Sequence, residues 1–254
     1  MRNLMKPLLL LLALVSVSIF LISCTSSNSV QARFVNAVYL TSGSYNGSLD
    51  VEFNGTKEFT NITFPNASAS TYKAVPGGTV SIQGLAYNTS TTVFGPVSET
   101  LNGGTDYTMV AGGQAGGSGA LVNLAVYPDN NSAPATGTVN FRVLNASDVD
   151  SSIDVYIEQT PFTGTLGQNG VAPDFTLGLN SGSTYKNFPW NSDGQGWSLY
   201  VTTAGNPNSI RLNGFSIASF GGTGTDGIRT IVLTDDTNAP NTISSQPLVL
   251  TDLN

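Results

Sequence analysis

"RVLNASDVDSSIDVYIEQ", residues 142–159, is answered 109 positions earlier by "RFVNAVYLTSGSYNGSLDVEFNG", residues 33–55. In both, an Arg opens a run that closes on Asn-Ala, and a turn-rich gap follows. An Asp-Val pair then sits inside an alternating segment, "LDVEF" at 49–53 and "IDVYI" at 153–157. Leu49, Val51 and Phe53 fall on one side, Asp50 and Glu52 on the other. Arg33, Val35 and Ala37 oppose Phe34, Asn36 and Val38, and Phe141, Val143 and Asn145 oppose Arg142 and Leu144. Successive side chains of an extended chain point to opposite faces, so these runs read as half-buried antiparallel β-strands.

The correspondence continues outward. "SASTYK" (68–73) is matched by "SGSTYK" (181–186), and "VSIQGLA" from Val80 by "WSLYVTT" from Trp197. "DYTMVAGG" from Asp106 is matched by "IRTIVLTDD" from Ile228, and "LVNLAV" from Leu121 by "PLVLTDL" from Pro247. The order is the same while the offset drifts, from 109 at the opening Arg to 127 at the closing pieces. That is a duplicated domain with loop insertions; a solenoid repeats a shorter unit at a fixed period. Pro and Gly interrupt every candidate helical stretch beyond the N-terminus. The expected fold is all-β, two tandem immunoglobulin-like antiparallel β-sandwiches at residues 31–130 and 138–254. A linker at 131–137 falls within "PDNNSAPATG", residues 128–137.

The 254 residues contain no His and one Cys, and only 10% of them are charged. Without His, neither a Ser-His-Asp nor a Cys-His arrangement can be assembled, and the commonest general base and metal ligand is missing. One Cys allows neither an internal disulfide nor a thiolate zinc site. Net charge is −7, and −9 once residues 1–23 are removed, so the chain is poorly suited to phosphate backbones and no nucleic-acid partner is expected.

The lone Cys24 ends the longest apolar run. "MRNLMKP" (1–7) supplies Arg2 and Lys6, an apolar segment of signal-peptide length covers 8–22, and "LISC" (21–24) closes it. That ending is similar to the lipobox of bacterial lipoproteins. The resemblance implies cleavage of residues 1–23, lipidation of Cys24, and a short tether at 24–30. Thr25 stands where an Asp retains many Gram-negative lipoproteins at the inner membrane, which points to the outer membrane. The membrane, reached through the lipid anchor, is one expected partner; an envelope protein or glycan is the other.

The order Arg-Val-x-Asn-Ala-Ser, a variable turn, Asp-Val-Tyr, then "YKAVPGG" and "YKNFPWN" further on resembles the DUF4397 family of bacterial envelope proteins. Residues 142–159 fit its opening better than residues 33–55, where Val38 replaces Ser147. The resemblance implies a domain of unknown function, often duplicated and often carried on lipoproteins, and brings no catalytic residues.

Several positions invite a chemical reading. Arg33 with Asp50, and Arg142 with Asp154, are expected as structural pairs joining adjacent strands. Tyr72 and Tyr185 are expected to bury their rings and tie their hydroxyls to backbone. "YPDNNSAP" (127–134), "LTDDTNAP" (233–240) and "ASDVDSSID" (146–154), with Asp148, Asp150 and Asp154, offer oxygens of the kind calcium takes, but Asp and Asn before Pro are also turn chemistry. "GGQAGGSG" (112–119) lacks the ending of a phosphate loop and reads as a hairpin tip. Trp190 and Trp197 in "NFPWNSDGQGW" are candidates for presenting an aromatic face to a sugar. No catalytic, cofactor or metal site is assigned.

The resulting expectation is a non-catalytic, lipid-anchored envelope protein acting as a structural or interaction module; a carbohydrate- or calcium-binding surface lipoprotein is the alternative. Cys24→Ala is expected to move the chain from the detergent phase to the aqueous phase in Triton X-114 partitioning. Retention in the detergent phase would contradict the anchor.

Overall fold

The computed structural model describes residues 29–40, 45–67, 72–115, 122–189, 196–217, 227–236 and 242–252. Cys24, the leader, Trp190, the tip of "GGQAGGSG" and residues 237–240 of "LTDDTNAP" lie outside the described residues. Among the described residues no helix is long and apolar enough to cross a membrane.

The first half carries β1 (Ser29–Leu40), β2 (Ser48–Phe53), β3 (Thr56–Thr63), β4 (Asn66–Ala67), β5 (Lys73–Pro76), β6 (Gly78–Ala86), β7 (Thr92–Leu101), β8 (Asp106–Ala115) and β9 (Val122–Asp129). The second carries β10 (Thr138–Asn145), β11 (Ser152–Gln159), β12 (Phe175–Gly178), β13 (Ser181–Gly182), β14 (Lys186–Pro189), β15 (Trp197–Thr203), β16 (Asn206–Ile217), β17 (Gly227–Leu233) and β18 (Leu248–Thr251).

The two halves share one topology. In the first, β4-β1-β8-β9 form one sheet, with β5 also on β1, and β3-β2-β6-β7 form the other. In the second, β13-β10-β17-β18, with β14 on β10, faces β12-β11-β15-β16. The all-β sandwich reading holds, with one amendment to the pairing. β1 runs parallel to β8, and β10 parallel to β17, while the other pairs are antiparallel. A tight turn imposes antiparallel pairing only on strands adjacent in sequence, and these partners are far apart in the chain.

Each sandwich closes on its own core. Phe34 stacks on Phe94 with centroids 6.1 Å apart and tilts against Phe59 at 6.0 Å, among Leu49, Phe53, Ile82 and Met109. Trp197 meets Phe141 edge-on at 5.3 Å among Val155, Leu199 and Ile231. A third apolar cluster belongs to neither sandwich alone: Val35, Ala37 and Val110 from the first half pack with Leu144, Ala146, Val232 and Leu250 from the second. The β1–β8–β9 sheet is therefore laid against the β10–β17–β18 sheet, and four sheets stack in series.

This corrects the half-buried reading of the opening strands. β1 turns Val30, Ala32, Phe34 and Val38 to its own core and Val35 and Ala37 to the other half. β10 does the same with Phe141 and Val143 against Leu144. Apolar residues on both faces are the pattern of a strand buried on both sides. The two sheets approach closely at Gly112, where a Cβ would stand 2.8 Å from Asn180 Oδ1 and 3.1 Å from the Cβ of Ala146.

The register also corrects the match of the closing strands. Val110 lies beside Ala125 and Val232 beside Leu248, so Ala125 answers Leu248 and Asp129 answers Asp252, an offset of 123. Phe34→Ala is expected to cost about 3–5 kcal/mol in urea unfolding, because a fully buried ring leaves a cavity. Ile210→Ala, at a side chain 50% exposed, is expected to stay within about 0.5 kcal/mol.

Candidate functional site

The residues that the repeat singled out converge where the two halves meet, but not with the partners expected for them. Arg33 does not reach Asp50; its Nη2 pairs with Asp252 at the end of β18. Arg142 does not reach Asp154; its Nη2 pairs with Asp129 at the end of β9. Each Arg thus leaves its own sandwich and is neutralised by the other. The reason lies in the strand pattern. Arg33 shares a face with Val35 and Ala37, which is the face turned to the other half, whereas Asp50 lies on β2 in the far sheet.

The rest of the network is reciprocal as well. Arg33 Nε donates to Thr108 Oγ1 at 2.8 Å in its own half, and Nη1 and Nη2 donate to Thr251 O at 3.0 Å and Thr230 Oγ1 at 3.3 Å across the interface. Arg142 Nε donates to Thr230 Oγ1 at 2.9 Å, and Nη1 and Nη2 to Pro128 O at 3.1 Å and Thr108 Oγ1 at 3.0 Å. The two threonine hydroxyls in turn donate to Asp129 and Asp252, each at 2.8 Å. Tyr72 Oη donates to Asp129 at 2.5 Å and Tyr185 Oη to Asp252 at 2.8 Å. Each tyrosine ring also lies beneath a guanidinium, Tyr72 under Arg33 at 5.0 Å and Tyr185 under Arg142 at 4.7 Å. The tyrosine hydroxyls therefore find carboxylates rather than the backbone.

Two cations and two anions sit in a space with almost no solvent: the Arg33, Asp252 and Asp129 side chains are fully buried, Arg142 nearly so. Burial pushes the Asp129 carboxyl above its ordinary value, against Arg142 and Tyr72, which draw it down. Burial raises the Tyr72 and Tyr185 hydroxyls too, so both stay protonated and remain donors. Such a group of charges is tolerated only when every donor and acceptor is matched.

Asp50 and Asp154 do equivalent local work elsewhere. Asp50 accepts from Lys57 Nζ at 2.6 Å, Thr60 Oγ1 at 2.7 Å and the Asn61 N–H at 3.0 Å, and these bonds hold its carboxyl below the usual range against burial. Asp154 accepts from Thr176 Oγ1 at 2.6 Å and the Gly205 N–H at 2.7 Å. Asn36 and Asn145 each accept the N–H two residues on and donate to a carbonyl of the facing sheet, Ile62 O at 2.7 Å and Gly178 O at 3.0 Å. That explains the Asn of the opening motif.

Of the aromatic candidates, Trp197 is 1% exposed and belongs to the core, so it presents no face to a sugar. A cleft of about 390 Å³ opens beside the network, lined by Tyr127, Pro128, Arg142, Gly182 and Tyr185. Another of about 310 Å³ lies under the loop between β11 and β12, with Phe162, Tyr200, Pro207 and Ile210. Of the calcium candidates, Asp129 is absorbed by Arg142, and Asp150 is held by Arg211 at 2.7 Å. Asp148 and Asp235, from two different candidate stretches, meet. Burial, followed by the Asp148 charge, pushes the Asp235 carboxyl up to about 6 against its bond from Ser147. Among the described residues, no three His, Cys, Asp or Glu side chains gather as a metal-holding group.

The profile of the family described as "Domain of unknown function (DUF4397)" matches residues 29–156, half of the chain. No curated protein matches the sequence. Among solved structures, a streptococcal virulence factor described as binding alpha-glucan is similar with a TM-score of 0.29 at 9% identity, over 85% of this chain and 97% of that one. Candidate cell adhesion proteins from Bacteroides uniformis and Bacteroides fragilis give TM-scores of 0.22 and 0.23 at 9% identity. They cover 87% and 89% of this chain and 98% and 97% of theirs. Scores this low carry neither a shared arrangement nor a residue role across.

Arg33→Met strands Asp252 as a buried unpaired charge and is expected to cost about 3–5 kcal/mol in urea unfolding. Arg33→Met with Asp252→Leu is expected to cost clearly less than the two single changes added together, because they share one network. A loss under about 1 kcal/mol for the single change would mean that the pair supports nothing.

Proposed function

Since the chain belongs to the DUF4397 family, whose description assigns no activity, its role rests on its own geometry, and we propose that it is a non-catalytic structural or interaction module of the cell envelope. The observation that carries this reading is the buried, reciprocal Arg–Asp exchange. It couples the two sandwiches into one stiff body and turns the most elaborate polar chemistry of the chain inward, onto the chain itself. Groups committed to holding two domains at a fixed angle are unavailable to a substrate. What remains outside is a set of loops and clefts on a rigid frame, the usual placing of recognition surfaces.

The second half reads as a second copy of the same domain. It repeats the first strand for strand, and it places Arg142, Thr230, Asp252 and Tyr185 where the first has Arg33, Thr108, Asp129 and Tyr72. Lipidation at Cys24 would tether this body to the outer membrane, with a glycan or envelope protein as the partner of its free loops. Several acyl chains give lasting attachment, at about 0.8 kcal/mol per buried methylene.

Fractionation of cells producing the full chain, combined with in-cell crosslinking, tests this reading. The chain is expected in outer-membrane fractions, crosslinked to envelope components. A chain recovered from the cytosol with no crosslinked envelope neighbour would overturn it.

A further inference from the structure

The ends of β10 and β17 hold a buried carboxylate that is only half satisfied. Asp235 is 3% exposed. Its Oδ1 accepts from Ser147 Oγ at 2.5 Å and from the Asp148 N–H at 3.2 Å. Its Oδ2 has no partner. Asp148 lies next to the same carboxyl, its N–H on Oδ1 and its own charge felt by Asp235, so two acidic groups are close together here. A buried oxygen without a donor, beside a second carboxylate, is costly unless something positive lies between them.

The arrangement is peculiar to the second half. Ser147 lies at the position of Val38, Asp148 at that of Tyr39, and Asp235 at that of Gly113, the residue paired with Val38 across β1 and β8. A hydroxyl and two carboxylates thus stand where the first half has an isopropyl group, a phenol ring and no side chain. Ser147 Oγ also accepts the Val149 N–H at 3.3 Å, which fixes the hydroxyl that orients Asp235.

We propose that Asp148 and Asp235 hold a divalent cation, with Asp235 Oδ2 and the Asp148 carboxylate as ligands and Ser147 as a positioning residue. The donors are all hard oxygens, with no nitrogen or sulfur among them, which is calcium chemistry. Two carboxylates balance the charge, and water completes the six to eight oxygens that calcium takes. So few protein ligands place the affinity near about 1 mM, the weak end of extracellular calcium modules. The ion would tie the turn after β10 to the end of β17, where Asp235 bridges to Ile243.

Thermal unfolding of the full chain in detergent tests this at pH 7.5, with calcium chloride against sodium chloride of equal ionic strength. Calcium at 10 mM is expected to raise Tm by about 4 °C. Asp235→Asn and Asp148→Asn are each expected to abolish that rise. In chelator Asp235→Asn is expected to melt no lower than the wild type, so a lost response is not a lost fold. Should Asp235→Asn fail to fold, Asp148→Asn at the more exposed partner carries the test. No rise up to 10 mM calcium, or an equal rise in the variants, overturns the proposal. A wild-type Tm in chelator that falls between pH 5 and pH 7.5, with no calcium response, assigns the pair to a shared proton and overturns it as well.

Discussion

The exchange of Arg33 and Arg142 between the two sandwiches is the constraint around which the rest is arranged. A guanidinium taken fully out of water is tolerated only beside a carboxylate that is itself fully engaged. Here each Asp is engaged by an Arg from the other half and by a Thr and a Tyr from its own. Separation of the halves would therefore expose four charges and an apolar sheet face together, and could not proceed one contact at a time. The apolar cluster around Val35 and Leu144 supplies non-directional attraction, and the polar network fixes the register in which it is used.

That constraint explains the composition of β1 and β10. Each lies second from the edge of its sheet, with its own core on one side and its twin's sheet on the other. The strand therefore has to be apolar on both faces and still carry one long cation. Small residues are needed where the sheets come closest, hence Ala37, Ala146 and Gly112. The Asn that follows lies on the face turned to its own core and ties the end of the strand to the opposite sheet of its own sandwich. The motif Arg-x-x-Asn-Ala thus encodes a contact to the neighbouring half, then a contact to the facing sheet.

Much of this was legible in the sequence, because period-two alternation and duplicated order are local signals. They revealed the strands, the two sandwiches, the paired Arg positions and the paired Tyr positions. The partners were not legible, because pairing across an interface leaves no local pattern. Asp50 and Asp154 looked like partners because they recur with the arginines, yet equivalent positions can recur for separate local reasons, here accepting an N–H from the turn after β6 and from the turn after β15. Asp129 stands in "PDNNSAPATG", beside the linker, and Asp252 in the closing piece "PLVLTDL". Only the strand register shows that they occupy the same place, since the closing strands are short and matching their apolar letters slips them by four residues. The parallel pairing of β1 with β8 was equally hidden, being a matter of tertiary direction.

The two halves also differ in an informative way. Each commits an Arg, a Thr, an Asp and a Tyr to the shared network, so these positions have the same chemistry in both. The differences lie away from the shared interface network. Asn54–Gly55 turns the first hairpin tightly, whereas residues 160–174 form a long loop in the second half that packs Phe162 on Tyr200 at 5.3 Å. Val38, Tyr39 and Gly113 become Ser147, Asp148 and Asp235. Two halves of one topology that must stay welded together can vary only where the weld does not reach. Loop insertion and buried carboxylates both accumulate in the second half, so that half holds the chemistry the joint does not explain, and the first half holds it in place.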